Sequence, residues 1–319
     1  MCRFRISCFK LVRATFRTWL ALLTMLFATQ VNAQSCSVSM TNVAFGTVNV
    51  LPGTAVDTTS TVTVTCSGGG SAVTACVSIG CGSACDSTSR QMTGPNSATA
   101  RYDLYSDSAR TTRWGSWQTG YDTAGVQVTV PKNSSANQTV YARFLASQQT
   151  AVAGSYTATL SAQPFITYAK QGGSNCPTGG STASGSASVT ATISSNCTIG
   201  ATTISFGSQG ILSSNKDAQG TVTVQCTTNL PYAVSLDGGT TGATNPTQRK
   251  MTFSTSTVTY GLYQDAARSS AWGSTAGVNT VSGTGTGATQ TFTVYGRVAA
   301  QTTPKPGTYN DTIIATVTY

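Results

Sequence analysis

Short stretches in which apolar and polar residues alternate run along most of the chain. Ile313, Ala315, Val317 and Tyr319 belong to such a stretch at the C-terminus, YNDTIIATVTY. This two-residue period is typical of a half-buried β-strand, and Gly, Ser, Asn and Pro separate the stretches as turn residues do. The pattern predicts an all-β fold whose last strand is apolar and is followed by no further strand.

The same unit occurs twice in the chain. The stretch from Cys36 to Cys66 resembles the stretch from Cys197 to Cys226. Each has a cysteine, an alternating strand, a Phe-Gly pair, a turn region and a TVTV strand before the second cysteine. Farther along, YDLYSDSARTTRWG corresponds to YGLYQDAARSSAWG. A unit repeated after about 160 residues indicates a duplicated domain rather than a solenoid. The sequence therefore predicts two β-sandwich domains in tandem.

The predicted domain boundaries follow from the repeat and from local composition. Residues 34–168 form the first domain, and residues 187–319 form the second. Residues 169–186 are rich in Gly and Ser and are predicted to be a linker. Residues 187–194, ASVTATIS, alternate like a strand, and they precede the repeated unit of the second domain rather than lying inside it.

Residues 1–33 have the features of a secretory signal peptide. They begin with basic residues, continue with an apolar stretch from about Trp19 to Phe27 and end in Val-Asn-Ala. A membrane anchor is the alternative, but the apolar stretch is too short to span a bilayer comfortably. We expect cleavage after Ala33, secretion of the mature chain and no membrane span in it.

Removal of the signal peptide changes the charge of the chain. It takes away 5 of the 18 basic residues and none of the 9 acidic residues, so the net charge falls from +9 to +4 (13 − 9). The remaining basic residues are scattered along the sequence. This distribution argues against a nucleic-acid-binding surface.

The composition also limits the chemistry that is available. The chain has no His, and all nine acidic residues are Asp. Catalytic triads that use His, and imidazole metal sites, are therefore impossible within this chain. An Asp-based enzyme remains as an alternative, with Asp103 and Asp107 as the nearest pair. Asp107 matches Asp265 in the second unit, which favours a structural role. We expect neither catalysis nor a cofactor.

Eight cysteines remain in the mature chain, an even number that favours disulfides in a secreted protein. The matched spacing predicts the pairs Cys36–Cys66 and Cys197–Cys226. The other four have no counterpart in the second unit. They allow three pairings, or alternatively a thiolate metal site: Cys76, Cys81, Cys85 and Cys176.

Some aromatic residues occur in both units and others in only one. Trp114 corresponds to Trp272, so we predict that it packs in the core. Trp117 and Tyr121 have no counterparts in the second unit. Exposed aromatic side chains on a loop are suited to contact with a surface or a sugar. We predict that these two residues contact a receptor, the alternative being that they cover the flank of a larger first domain.

The motifs of both units resemble those of a known family. They are the first cysteine with Phe-Gly downstream, the TVTVTC strand, the LY.D..R...WG pattern and YGRVAAQTTPKPGTYNDTIIATVTY. Each unit is similar to a spore coat protein U domain, the subunit type of Csu-type archaic chaperone–usher pili. The resemblance covers nearly all of the mature chain. The first unit departs from it in CVSIGCGSAC and in YARFLASQQTAVAGSY.

The resemblance implies an immunoglobulin-like sandwich that lacks its last strand. A periplasmic chaperone first fills the resulting groove, and the N-terminal extension of the next subunit later replaces it. Ile313, Ala315, Val317 and Tyr319 would then border a strand-acceptor groove in the second domain. Without the resemblance, the last strand would be interpreted as an ordinary sheet edge. The implied partners are a periplasmic chaperone, an outer-membrane usher and an adjacent pilin subunit.

Two segments are candidates for closing the first domain. Val189, Ala191 and Ile193 could form a donor strand within the same chain. Alternatively, PFITYAK, with Phe165 and Ile166, could close the domain directly after its last matched strand. The sequence does not choose between them.

The start of the mature chain suggests a position in a polymer. Only Gln34 and Ser35 would precede Cys36, which is too short for a donor strand. A subunit that accepts a strand and has none to give is expected at an end of the polymer. By the family's polarity this end is the tip, where two-domain subunits of related pili are adhesins.

The sequence thus predicts a cell-surface tip adhesin that acts in surface attachment and biofilm formation. The receptor is not identified by the sequence. The alternatives are a secreted structural coat protein of the same fold without a receptor, and an Asp-based carbohydrate-active enzyme.

Overall fold

A computed structural model of the chain describes residues 34–116, 125–160, 166–170 and 180–319. These ranges contain twenty β-strands, one short 3-10 helix at Pro95–Ser97 and no α-helix. Nowhere in them is there a helix with the length and apolar character needed to cross a membrane. The predicted signal peptide, residues 1–33, lies outside the described residues.

The first domain is a sandwich of two sheets. One sheet has the strand order β1-β3-β8-β6-β5-β9-β12-β2, and the other has the order β11-β10-β4-β7. The twelve strands are β1 (Ser35–Met40), β2 (Val43–Val48), β3 (Val56–Ser67), β4 (Val73–Val77), β5 (Arg90–Thr93), β6 (Thr99–Tyr105), β7 (Val126–Val130), β8 (Ser135–Phe144), β9 (Gly154–Leu160), β10 (Ile166–Lys170), β11 (Ser181–Ala183) and β12 (Ala187–Ile193).

The second domain repeats both sheets with fewer strands. One sheet has the order β13-β14-β19-β17-β16, and the other has the order β18-β15-β20. The eight strands are β13 (Cys197–Ala201), β14 (Lys216–Cys226), β15 (Pro231–Leu236), β16 (Arg249–Phe253), β17 (Ser256–Tyr263), β18 (Val281–Thr284), β19 (Thr289–Val298) and β20 (Ala315–Thr318). The prediction of two tandem immunoglobulin-like sandwiches is confirmed.

Alternation along the strands builds each core. In β14, Val222 and Val224 are buried, whereas Thr221 and Thr223 alternate with them and face outward. β-Branched residues suit such a half-buried pleated surface. Trp114 and Trp272 are both buried, and each indole Nε1 donates a hydrogen bond of 3.0 Å to a backbone carbonyl of β4 or β15. Both tryptophans therefore pack inside their domains.

One disulfide links the first two paired strands of each domain. Cys36 of β1 is directly opposite Cys66 of β3 and is bonded to it. Cys197 of β13 is bonded to Cys226 of β14 in the same way. Each disulfide therefore joins the start of the edge strand, β1 or β13, to the neighbouring strand, β3 or β14.

The predicted linker, residues 169–186, is partly strand. β10 continues to Lys170, and β11 occupies Ser181–Ala183 and pairs antiparallel with β10. The short sequence Ser-Thr-Ala does not by itself predict a strand. Here it forms one because its backbone pairs with β10. Residues 171–179 lie outside the described part of the chain.

Each domain also carries a bidentate ion pair between two central strands. In the second domain, Arg297 of β19 donates from Nε and Nη2 to the two carboxylate oxygens of Asp217 at 2.8 Å each. Arg268 adds a third contact at 3.2 Å. In the first domain, Arg143 and Asp57 form the matching pair. Hydrogen bonding from Arg297 lowers the pKa of Asp217 below its ordinary value of 3.8.

This pKa shift predicts an acid-sensitive contribution to the stability of the second domain. A carboxylate with a lowered folded-state pKa stabilises the fold above the unfolded pKa, and the contribution is lost as the pH falls through the folded pKa. The side chain of Asp217 is 37% exposed, so the contribution is about 1 kcal/mol or less. Asp217→Asn should flatten the decline of thermal stability below about pH 4. Calorimetry would measure this, and Asp57→Asn, which alters only the first domain, is the control. An unchanged slope in Asp217→Asn would contradict the assignment.

Candidate strand-acceptor groove

The strand β12 lies between β9 and β2 in the first domain. It runs antiparallel to β9 and parallel to β2, so that Val189 is opposite Ala158 on one side and opposite Val43 on the other. β11 precedes it in the chain and pairs with β10 in the other sheet. β12 therefore occupies the place of the last strand of this sandwich.

Alternate residues of β12 enter the core of the first domain. Val189 is 0% exposed, Ala191 3% and Ile193 1%, whereas Thr192 is exposed. The other candidate segment has a different place, because Ile166 belongs to β10 and pairs with β4. Phe165 lies outside the described residues. The two segments therefore do not compete for one position in the sheet.

β12 leads directly into the second domain. Only Ser194, Ser195 and Asn196 separate it from β13. The backbone N–H of Ser194 donates to the Val48 carbonyl at 3.0 Å, and that of Asn196 donates to Thr227 Oγ1 at 3.0 Å. The connection is thus short and is hydrogen-bonded to both domains.

In the second domain, where all residues are described, no strand occupies the position that β12 has in the first. The segments that match β2 and β9 are residues 204–209 and 307–313, and neither forms a strand. One bridge remains, between Asn310 and Thr252, as Thr157 bridges Thr93 in the first domain. Without a strand between them, both segments lack their main pairing partner.

A groove with a cavity volume of about 370 Å³ lies between these two segments. Five of its apolar lining residues are partly exposed, although they pack against the core. The matched residues of the first domain are at most 7% exposed: Val43, Phe45, Met92, Tyr156 and Leu160. The groove residues that correspond to them are Ile204, Phe206, Met251, Tyr309 and Ile313.

A hydrogen-bonded pair, Tyr260 and Asp311, lies among the apolar residues of the groove. Tyr260 Oη donates to Asp311 Oδ2 at 2.6 Å. Asp311 Oδ1 accepts from the backbone N–H and the Oγ1 of Thr240 and from the N–H of Thr312, at 2.7 to 2.8 Å. Burial and the hydrogen bond to Asp311 raise the pKa of Tyr260. Tyr260 therefore remains a protonated donor beneath the groove.

The four residues predicted to border the groove do not all lie in it. Ile313 and Ala315 line the groove, and Val317 packs against the core of the second domain. Tyr319 is 55% exposed and lines a separate cavity. It follows the end of β20, so the pairing of β20 with β15 does not hold it toward the groove.

Sequence reasoning did not assign several residues to the groove. Phe206, Tyr260 and Tyr309 correspond to Phe45, Tyr102 and Tyr156 of the first unit, and Met251 in RKM corresponds to Met92 in RQM. Their counterparts in the first domain are the residues that surround β12. The groove residues could therefore have been identified from the repeat, by taking the counterparts of the residues that surround the donor strand in the first domain.

The candidate receptor contacts, Trp117 and Tyr121, lie outside the described residues. Within the described part of the chain, the large apolar side chains that are exposed all belong to the second domain: Ile211, Phe253, Val278, Ile314 and Tyr319.

Three of the four additional cysteines lie in described segments. Cys81 is bonded to Cys85, and Cys76 is also in a disulfide. Cys176 lies outside the described residues. Among the residues that the structure describes, no group of three or more metal-ligating side chains comes together.

The two aspartates considered for catalysis have structural contacts. Asp103 is buried and forms ion pairs with Arg90 and Arg113. Asp107 accepts hydrogen bonds from the backbone N–H groups of Thr111 and Thr112, which close a turn. Neither carboxylate is thereby placed in a shared cleft.

The chain resembles known proteins both in sequence and in fold. The chain is 34% identical over 106 residues to Protein U of Myxococcus xanthus, and the matched region spans 31% of this chain and 59% of that protein. The fold is similar to that in the crystal structure of the CsuC–CsuE chaperone–tip adhesion subunit pre-assembly complex from archaic chaperone–usher Csu pili of Acinetobacter baumannii. That similarity has a TM-score of 0.54 at 17% identity and covers 89% of this chain and 100% of the other.

Both repeated units match one family. The matches extend over residues 22–163 and 183–316, which together account for most of the chain. The expected resemblance is confirmed on both halves, and the fold is that of a chaperone–usher pilus subunit. The chain belongs to the Spore Coat Protein U domain family.

Proposed function

We propose that this protein is the tip adhesin of a chaperone–usher pilus and is joined to the next subunit by donor-strand complementation. The observation that carries the proposal is the contrast between its two matched domains. In the first, β12 fills the place of the last strand, and in the second, the same place is an open groove. The natural occupant of this groove is a strand from another polypeptide.

The open groove makes the protein prone to aggregation until a strand fills it. Its edges carry unpaired backbone groups, and its floor exposes apolar side chains, both of which promote aggregation. An added strand would form backbone hydrogen bonds with residues 307–313 and 204–209 and would bury these side chains. We expect an extended segment with alternating small and β-branched residues, because that is the chemistry of β12 in the first domain.

Because the open groove promotes aggregation, we also propose a chaperone and an usher as partners. A subunit with an open groove must be covered during its passage through the periplasm. The similar structure from Acinetobacter baumannii is a complex of a tip subunit with its chaperone, which supports this assignment. The proposed route leads through the periplasm and an outer-membrane usher to the cell surface.

The closed first domain supports a position at the tip. Because its own chain completes it, this domain needs no donor from another subunit and is free to contact a surface. We propose that Trp117 and Tyr121 take part in that contact, and that the contact serves surface attachment and biofilm formation. The protein would act by binding, without catalysis.

The proposed groove can be tested by co-purification with the cognate chaperone from the periplasm. Ile313 lies in the groove, whereas Thr316 is exposed and faces away from it. Wild type and Thr316→Lys should form a one-to-one complex with the chaperone and should aggregate without it. Ile313→Lys should lose the complex, because its ammonium group would have to be buried beside the incoming strand. A wild-type chain that is a stable monomer without chaperone would overturn the proposal.

The proposed adhesive contact needs a separate test. Bacteria that carry Trp117→Ala and Tyr121→Ala should attach less to surfaces, while the amount of pilus on the cells stays the same. Equal attachment with equal pilus would remove these residues from the contact.

A further inference from the structure

The grooves of the two domains differ at one inward position. Thr157 and Asn310 form equivalent bridges to the ends of β5 and β16, so the next residues, Ala158 and Asp311, occupy matching places. A methyl group in the first domain thus corresponds to a carboxylate in the second.

The filled groove is apolar at this position. Ala158 is 4% exposed and is directly opposite Val189 of β12. The hydroxyl of Tyr102, which matches Tyr260, is buried there and has no hydrogen-bond partner among the described residues. Ala158 and Val189, which are directly opposite each other at this point of β9 and β12, both have aliphatic side chains.

The open groove is polar at the same position. Asp311 Oδ1 accepts three hydrogen bonds, whereas Oδ2 accepts one, from Tyr260. Each carboxylate oxygen has two lone pairs: three donors share those of Oδ1, whereas Tyr260 uses one of those of Oδ2 and leaves the other for a further donor. Asp311 and Tyr260 both line the cavity that the incoming strand would fill.

An incoming strand in the register of β12 would place one side chain directly opposite Asp311. The Cβ atoms of directly opposed residues are about 5 Å apart, so a Ser or Thr hydroxyl there can reach Oδ2. Valine has the shape of threonine but no donor. It would bury the free acceptor position of Oδ2 without a hydrogen bond, and that costs free energy.

We propose that the strand that fills the second domain carries a serine or threonine opposite Asp311, and that Asp311 makes the groove prefer such a strand to the chain's own β12. This inference rests on the proposed function. It predicts which residue type the partner strand carries at one position, and it explains why residues 181–193 bind the first domain rather than the groove of the second. A second copy of the chain would then be a poor donor for the open groove.

The test uses the full mature chain with a donor strand attached after Tyr319. A Gly/Ser linker is followed by a copy of residues 181–193, with either valine or threonine at the copy of Val189. Calorimetry measures the midpoint of the second domain, and the transition of the first domain is an internal control. Both tails should raise the midpoint, and the threonine tail should raise it by about 4 °C more than the valine tail.

Asp311→Ala provides the matched control, because it restores the alanine of the first domain. In this variant the valine tail should give the higher midpoint. Each comparison is made between two tails on the same variant, so any loss of stability caused by the substitution itself cancels. If Asp311→Ala does not fold, Asp311→Asn, which keeps the shape of the side chain, should reduce the preference for threonine.

The outcomes separate the two proposals. If neither tail raises the midpoint of the second domain, the groove does not accept a strand, and the proposed function is wrong. If both tails raise it equally, with Asp311 and with alanine alike, the groove accepts a strand, but Asp311 does not select it.

Discussion

Replacing Val189 with Asp is expected to unfold the first domain while the second domain keeps its structure. Val189 is fully buried between β9 and β2, directly opposite the apolar residues Ala158 and Val43. A carboxylate at this position would lose its hydration, which a single hydrogen bond from the Tyr102 hydroxyl would not replace, or β12 would have to leave the sheet. We expect a loss of about 4 kcal/mol or more in the free energy of unfolding of the first domain.

Calorimetry of the full mature chain would show this loss as the disappearance or a large downward shift of the first domain's transition. Thr192→Asp is the matched control, because Thr192 lies on the exposed face of the same strand. It should change the transition by less than about 1 kcal/mol. Equal behaviour of the two variants would mean that β12 does not complete the first domain in solution.

Arg249→Met is expected to cause the second large effect, in the other domain. Arg249 is 0% exposed, and its guanidinium donates to four backbone carbonyls at 2.5 to 3.1 Å. These carbonyls belong to Leu236, Asp237, Pro246 and Trp272. Methionine fills a similar volume but donates nothing, so the buried carbonyls lose their partner. We expect the second domain to lose about 3 kcal/mol or more.

The effect of Arg249→Met should be visible in denaturant unfolding of the full chain. The fluorescence of the buried Trp272, whose carbonyl accepts one of these hydrogen bonds, is a direct probe. The control is Lys250→Met, because Lys250 is the exposed neighbour on the same strand. A loss below about 1 kcal/mol would show that water replaces the guanidinium at these carbonyls.

Some contacts in the cores could be anticipated from the repeat, and others could not. The two cysteine pairs and the two packed tryptophans recur with the same spacing, and each occupies the same place in its domain. Arg90 and Arg249 recur as well, in RQM and RKM, but nothing in the sequence indicates that they are buried. Their role depends on carbonyl groups that other segments bring to them.

The strand β11 and the polar spot in the groove show where sequence reasoning fails. Ser181–Ala183 has the composition of a linker, and only the backbone of β10 makes it a strand. Asp311 follows the alternation of its segment as an inward residue, which predicts an apolar side chain. The carboxylate is tolerated in the groove because Tyr260, Thr240 and the N–H of Thr312 supply hydrogen bonds to it.

The sequence by itself determined the all-β class, the duplication and the extended character of residues 187–193, because a two-residue period is a local property of the chain. Only the tertiary structure decided which groove is filled and which is open. β12 pairs with a strand far away in the sequence, as the bond from Ser188 to Asn42, 146 residues earlier, illustrates. Pairing partners are chosen by geometry and burial in the folded chain, and alternation alone does not specify them.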